Sequence, residues 1–194
     1  MTRLALIRHG HTAWNRAGRI QGRTDVPLDT AAETHLSRLT LPPPWDNAAL
    51  VSSPLSRAVR TGVLISGKNP LHEPALMEMN WGVWEGKHGE NLIADPATGY
   101  KHIEEWGWQF RPPEGESPQD VLARVSPWLD HLEKDTVAVC HIGIMRVILA
   151  RATGWNFAGP APFRIKRDRL FILEKGDTGW HLLPDPVRLV ERAP

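Results

Sequence analysis

The sequence predicts an α/β protein with a mostly parallel sheet and an antiparallel edge. Three observations lead there. Short apolar, strand-like runs alternate with helical stretches along much of the chain. Two of those runs end directly on a histidine, as strands of an open α/β sheet do when they deliver side chains to a crevice beyond their carboxyl ends. The last two runs are joined by a short polar turn containing glycine, which reads as a hairpin.

Residues 3–7 read as a short buried strand, and residues 16–28, rich in Gly, Arg and Pro, as a loop. The spacing of Ala31, Leu36 and Leu39 predicts a helix over 30–39, stopped by Pro42, Pro43 and Pro44. Residues 48–52 are a second strand. Ser53 is placed as a cap and Pro54 as a first helical residue, with the helix over 55–65. A short strand over 71–76 follows. From 77 to 113 regular patterning is lost, and this irregular segment is expected to act as a substrate lid. Ser117, with Asp120 three residues on, opens a helix to about 132 that bends at Pro127. Residues 136–140 are a continuous apolar strand and 144–152 an apolar helix. Residues 169–173 and 180–183 form the hairpin. No internal repeat interrupts this order, so a single domain over 1–194 is expected.

The composition narrows the function classes. A chain of 194 residues, 41% apolar and 23% charged, is long enough to bury a core. A net charge of +1 gives no global basic field for nucleic acid or a membrane surface. The single cysteine, Cys140, leaves no internal disulfide and fits a reducing compartment. The apolar run before Arg8 is too short for a signal-peptide core or a membrane span. A cytoplasmic protein with a small-molecule partner is expected, with no nucleic acid and no membrane; a homodimer is left open.

The chemistry concentrates at strand ends. His9 follows the first strand and His141 follows the strand over 136–140, each with a glycine close behind, Gly10 and Gly143. Neighbouring parallel strands would bring both imidazoles to one crevice. Gly10 is expected to permit a sharp turn that carries Arg8 and His9 to the same side, which period-two alternation would otherwise separate. Arg57 falls in the first turn of a helix, where free N–H groups, the dipole and a guanidinium fork all favour an anion. Arg60 lies one turn on. Glu78 precedes the Trp-rich run of residues 81–86; a carboxyl group walled by Trp and near another anion would have a raised pKa and could protonate a leaving oxygen.

These residues resemble the histidine phosphatase superfamily, in its phosphoglycerate-mutase-like branch. The matching blocks are Arg8-His9-Gly10-x-Thr12-x-x-Asn15, Gln21-Gly22, Asp25-x-Pro27-Leu28, residues 52–61, residues 78–86, Glu114-Gly115-Glu116-Ser117 and His141-x-Gly143, in the family's order. The resemblance implies a three-layer α/β/α sandwich. It implies His9 as phosphohistidine nucleophile and Arg8, Arg57 and His141 as the phosphoryl grip. Glu78 would be the proton donor, then the base for water. Asn15, Gln21, Gly22, Arg60 and Ile142 are the expected substrate contacts. No cofactor and no metal are expected, because arginines and imidazoles supply the charge stabilisation. The chain departs from the family pattern at His11, often Glu, at Arg60, often Gln, and at Ile142, often Gly. It is also short between Gly86 and Pro112, where glycolytic mutases carry an extra segment, and small bacterial phosphatases such as α-ribazole phosphatase are more similar. A metal-independent phosphomonoesterase is therefore expected, with a phosphomutase or a non-catalytic binding protein on the same fold as alternatives.

Other residues receive ordinary readings. His11, His88 and His102 are expected as loop histidines, Glu85 as a structural pairing partner, and Lys87, Lys101 and Arg111 as solvated charges. Cys140 reads as a small core residue. Trp81, Trp84, Trp106 and Trp108 read as packing.

Overall fold

In the computed structural model, which describes residues 2–193, β1 (Arg3–Arg8) lies in the middle of the sheet. It is followed by α1 (Ala13–Arg16), α2 (Thr30–Ser37), β2 (Leu39–Thr40), β3 (Ala49–Ser52), α3 (Ser56–Ser66) and β4 (Leu71–His72). The order continues with α4 (Gly89–Ala94), α5 (Pro118–Asp130), β5 (Thr136–Cys140), α6 (Ile142–Thr153), β6 (Arg169–Gly176), β7 (Gly179–Leu182), β8 (Val187–Arg188) and β9 (Val190–Glu191). The main sheet runs β4-β3-β5-β1-β6-β7, with β8 also on β6. From β4 to β1 every neighbour is parallel, and β6 and its hairpin partner β7 make the antiparallel edge.

Alternation along β1 explains the layers. Leu4 and Leu6 enter a core shared with Val121, Val125, Ile144 and Ile148 of α5 and α6. Ala5 and Ile7 enter a second core with Leu36, Ala58 and Ile65 of α2 and α3. A sheet covered on both faces needs apolar residues at every position of its central strands, and all five residues of β5 are buried. Each fully buried Leu or Ile stabilises the fold by about 1.5–3 kcal/mol over an exposed one. The capping box of Ser117 and Asp120 starts α5 as expected.

Several boundaries differ from the sequence reading. α3 starts at Ser56, and Ser53 does not cap it, because its hydroxyl is engaged elsewhere. Of residues 71–76 only Leu71 and His72 pair as strand; Pro74 opens a 3-10 turn over Pro74–Leu76. α6 begins at Ile142, directly after His141. The two-residue strands β2 and β9 pair with each other, too short to leave a periodic signal. Within 77–113 the chain forms α4 and 3-10 turns at Gly82–Trp84 and Pro96–Thr98. Among the described residues no helix is long and apolar enough to cross a membrane.

Candidate active site

The carbonyl groups at the end of β5 extend the ladder by one residue on each side. His9 N–H donates to Cys140 O at 3.0 Å, and Ser53 N–H donates to Val139 O at 2.9 Å. His9, Ser53 and His141 are thereby fixed side by side at the carboxyl end of the sheet. The imidazole centroids of His9 and His141 lie 5.0 Å apart. Gly10 does not act through an unusual backbone angle, as a sharp turn would require. A side chain there would collide with Leu36, 2.7 Å from an added Cβ. The glycine lets α2 pack against the turn.

Each imidazole has a defined role in hydrogen bonding. His9 Nδ1 lies 2.6 Å from Gly10 O, which can only accept, so the proton sits on Nδ1 and Nε2 is left as the basic atom available to the cavity. His141 Nδ1 accepts from Arg57 Nε at 3.3 Å, and its Nε2 donates to Ser53 Oγ at 2.7 Å. Burial, then the charges of Arg57, Arg8 and Arg167, holds His9 well below the usual histidine range. Burial, then His9, Arg57 and Arg8, does the same to His141. Both rings are neutral at pH 7.

Arg57 is fully buried at the start of α3. Its Nη1 donates to Thr24 O at 2.8 Å and its Nη2 to Gly22 O at 2.7 Å. Gln21 completes the arrangement: its amide oxygen lies 2.7 Å from Arg57 Nε, whose single N–H it shares with His141, and its nitrogen donates to Thr12 Oγ1. Arg8 differs: its buried Nε has no partner among the described residues. Loss of water, with Arg167 nearby, pushes its pKa down to about 9. A desolvated guanidinium of this kind is satisfied by an anion.

Glu78 is buried, its carboxylate oxygens accepting from Met79 N–H at 2.8 Å and Gly143 N–H at 3.2 Å. Gly143 must be glycine, since a Cβ would stand 2.4 Å from Glu78 Oε1. Burial raises the Glu78 pKa against the pull of those N–H groups, Arg57 and Arg8. The cause thus differs from the one expected, which included a neighbouring anion: desolvation alone raises it.

Arg8, His9, Asn15, Gln21, Gly22, Arg57, Glu78 and Ile142 line one cavity of about 130 Å³, with Arg19, Ile20 and Trp81 completing its wall. Of the expected site residues, His141 and Arg60 do not line it. His141 is fully buried, its ring centroid 5.0 Å from that of His9. Arg60 is exposed on α3 and pairs with Glu33 at 2.7 Å. Glu85 is structural, accepting from the N–H groups of Arg23, Thr24 and Trp81. Trp84 and Trp106 are buried and pack with Tyr100 and Phe110. Cys140 is buried.

Sequence reasoning missed a set of arginines that act on backbone. Arg167 donates to His9 O at 3.1 Å and to Asn15 Oδ1 at 3.0 Å. Arg23 and Arg124 each reach Glu78 O at 3.3 Å, and both pair with Glu116, at 2.8 and 3.1 Å. Arg124 also donates to Met77 O at 2.6 Å. Only Glu116 carried a signal, inside the Glu-Gly-Glu-Ser block.

Two buried imidazoles, the buried Arg57 and the half-buried Arg8 thus meet at the carboxyl ends of parallel strands in an α/β protein. The chain belongs to the histidine phosphatase superfamily (branch 1), whose family model matches residues 4–184. A probable phosphoglycerate mutase of Escherichia coli O139:H28 is 32% identical over 134 residues, 67% of this chain and 62% of that protein. The aligned part thus spans about three fifths of that relative. A phosphoglycerate mutase from Thermus thermophilus superposes with a TM-score of 0.73 at 34% identity, covering 98% of this chain and 100% of that one. A mycobacterial glucosyl-3-phosphoglycerate phosphatase, solved with VO3, gives a TM-score of 0.77 at 26% identity over 94% of this chain and 97% of that one.

Proposed function

We propose that this protein is a metal-independent phosphomonoesterase that hydrolyses a small phosphorylated metabolite through phospho-His9. The observation that carries the reading is the fixed tautomer of His9: Nδ1 is held by Gly10 O, so Nε2 presents its lone pair to a cavity that also holds Arg8 and Arg57. Nε2 attacks phosphorus and the bond from phosphorus to the ester oxygen breaks. The charge on the transferring group is met by Arg8 and Arg57, and by the His141 Nε2–H once it turns from Ser53 Oγ to a phosphoryl oxygen. Glu78, whose carboxyl pKa burial raises, gives its proton to the leaving alkoxide. The alcohol departs, and the Glu78 carboxylate then takes a proton from water as that water attacks phospho-His9. The N–P bond breaks, inorganic phosphate leaves, and Glu78 is again protonated.

Hydrolysis is put before a phosphomutase reaction because the stretch between Gly86 and Pro112 is short beside the family's glycolytic mutases, although the Thermus protein named a phosphoglycerate mutase matches this chain end to end. The mycobacterial phosphatase on the same fold supports the same choice. The test is hydrolysis of p-nitrophenyl phosphate in excess EDTA by wild type and His9→Ala. Turnover by wild type alone is expected. Equal rates in both proteins, or turnover that disappears with EDTA, would overturn the reading, and return of the phosphoryl group to a second hydroxyl of 3-phosphoglycerate would replace it with the mutase.

A further inference from the structure

Strand register places an arginine behind the nucleophile. β1 and β6 pair antiparallel with Leu6 opposite Phe171, and each step forward on β1 is matched by one step back on β6. Carried past that last pair, the register sets Arg167 beside Gly10, one residue beyond His9. The chain turns into β6 at Asp168, whose φ of 57° is left-handed, a conformation that a non-glycine residue adopts at a cost. The Asp168 side chain pairs with His35 of α2 at 2.8 Å, and its carbonyl accepts from Leu189 N–H at 3.1 Å. Arg167 thus leaves a turn that is held on two sides.

Its two hydrogen bonds go to the phosphoryl site. Nε donates to His9 O at 3.1 Å, so the His9 peptide is gripped by β5 at its N–H and by Arg167 at its carbonyl. Nη2 donates to Asn15 Oδ1 at 3.0 Å, and Thr12 N–H donates to the same oxygen at 3.2 Å. Two donors engage both lone pairs of Oδ1 and fix which end of the carboxamide is oxygen. Nδ2, on the other end, donates to no group among the described residues, and Asn15 lines the cavity that holds Arg8, His9 and Arg57. A flipped carboxamide would set N–H against N–H at Arg167 and turn an oxygen toward the anion, so the charged bond at Oδ1 opposes the flip. Arg167 does not line that cavity. It borders a separate one of about 130 Å³ with His11, Arg16 and Leu36, on the far side of the His9 turn.

We infer that Arg167 is a positioning residue for the phosphoryl site: it fixes the Asn15 carboxamide so that Nδ2 donates to a phosphoryl oxygen, and it holds the His9 peptide from the side opposite β5. It acts through Asn15 and His9 and touches no substrate. The inference deepens the phosphoesterase reading and rests on it for the identity of the anion.

The test is a double-mutant cycle, which isolates what one residue does through another. kcat/KM for p-nitrophenyl phosphate is measured in wild type, Arg167→Met, Asn15→Ala and the double variant, with circular dichroism to check folding. Arg167→Met should cost about ten- to a hundredfold where Asn15 is present, the range of one hydrogen bond to a charged group. The cost should shrink by about fivefold or more in Asn15→Ala, where only the hold on the His9 carbonyl is left to lose. An arginine that merely supports the fold, or acts through space by its charge, costs the same in both backgrounds, and equal costs overturn the inference. If Arg167→Met does not fold, Arg167→Lys carries the same cycle, since it keeps the charge and loses the planar fork. Absence of turnover in wild type is a failure of the phosphoesterase reading, and the cycle is then read from the calorimetric Kd of inorganic phosphate. A larger loss of phosphate affinity with Asn15 present supports the inference. Equal losses in both backgrounds, or no phosphate binding by wild type, overturn it.

Discussion

The phosphoryl end of the cavity and its leaving-group side are built by opposite means. At the phosphoryl end, His9 and His141 are the first residues past β1 and β5, and Arg57 is in the first turn of α3. Their positions follow from strand register, which backbone hydrogen bonds set to within one residue. On the leaving-group side, Glu78 and Trp81 sit in a stretch with little regular structure, held by side chains that reach from far along the chain. The difference teaches why the reaction is readable before the substrate is. Regular elements place the groups that act on phosphorus, while a loop shaped by aromatic packing and by Arg23, Glu116 and Arg124 decides what lies beyond it.

The largest expected effect lies at the phosphoryl end. His9→Ala should lower turnover by about ten-thousand-fold or more for every ester, because no other group can take the phosphoryl. Steady-state assays over several esters check it, and a variant that retains a tenth of wild-type activity breaks the comparison. Glu78→Gln should separate the two ends. With an alkyl phosphate, kcat/KM should fall by about 10²- to 10⁴-fold, whereas p-nitrophenyl phosphate, whose leaving group needs no proton, should lose far less. A pH profile sharpens the assignment. Glu78 must be protonated and its pKa is raised, so wild-type kcat/KM for the alkyl ester falls as pH rises through that value. His9 must be neutral and its pKa is lowered, so the acid limb lies below pH ~6.5. Loss of the alkaline limb in Glu78→Gln is the outcome to look for.

Arg124→Met is the next test. Loosening the backbone of Glu78 should cost about ten- to a hundredfold with the alkyl ester and little with p-nitrophenyl phosphate. An equal loss on both would mean that Arg124 supports the fold rather than the proton donor. Stability should report the buried imidazoles. Their native pKa values lie below the unfolded value of ~6.5, so the unfolded chain binds more protons as pH falls. Their contribution is complete above pH ~6.5 and is lost below it, by about 1.4 kcal/mol per pH unit for each ring. Glu78 opposes this with one group, since its raised pKa gives stability that is lost as pH rises through it. Urea melts at pH 7 and 5.5 should show net destabilisation at the lower pH, reduced in His141→Gln. The smallest effect is Arg60→Ala, whose exposed pairing with Glu33 should leave kcat/KM within about twofold.

The same contrast explains what the sequence could convey. Strand β5 and the two histidines were legible because burial on both faces writes a continuous apolar run and the chemistry follows its end. Arg57 was legible from the strand-to-helix junction, but Arg60, one turn on, was not, since its pairing with Glu33 at the surface is a contact across 27 positions that helical spacing does not encode. Ser53 has the composition of a helix cap, and its hydroxyl instead meets His141, a contact across 88 positions that local patterning cannot encode. Arg23, Arg124 and Arg167 were missed for a related reason. Their partners include backbone carbonyls at Glu78 and His9, which carry no residue identity to recognise.

The most direct measurement is the capture of the intermediate. Wild-type enzyme mixed with ³²P-labelled phosphate ester and quenched in alkali, where phosphohistidine survives, should carry label on the peptide containing His9, and the label should decay on a chase with water. His9→Ala should carry none. Label on another residue, or full turnover with no labelled enzyme at any time, would contradict a mechanism centred on His9.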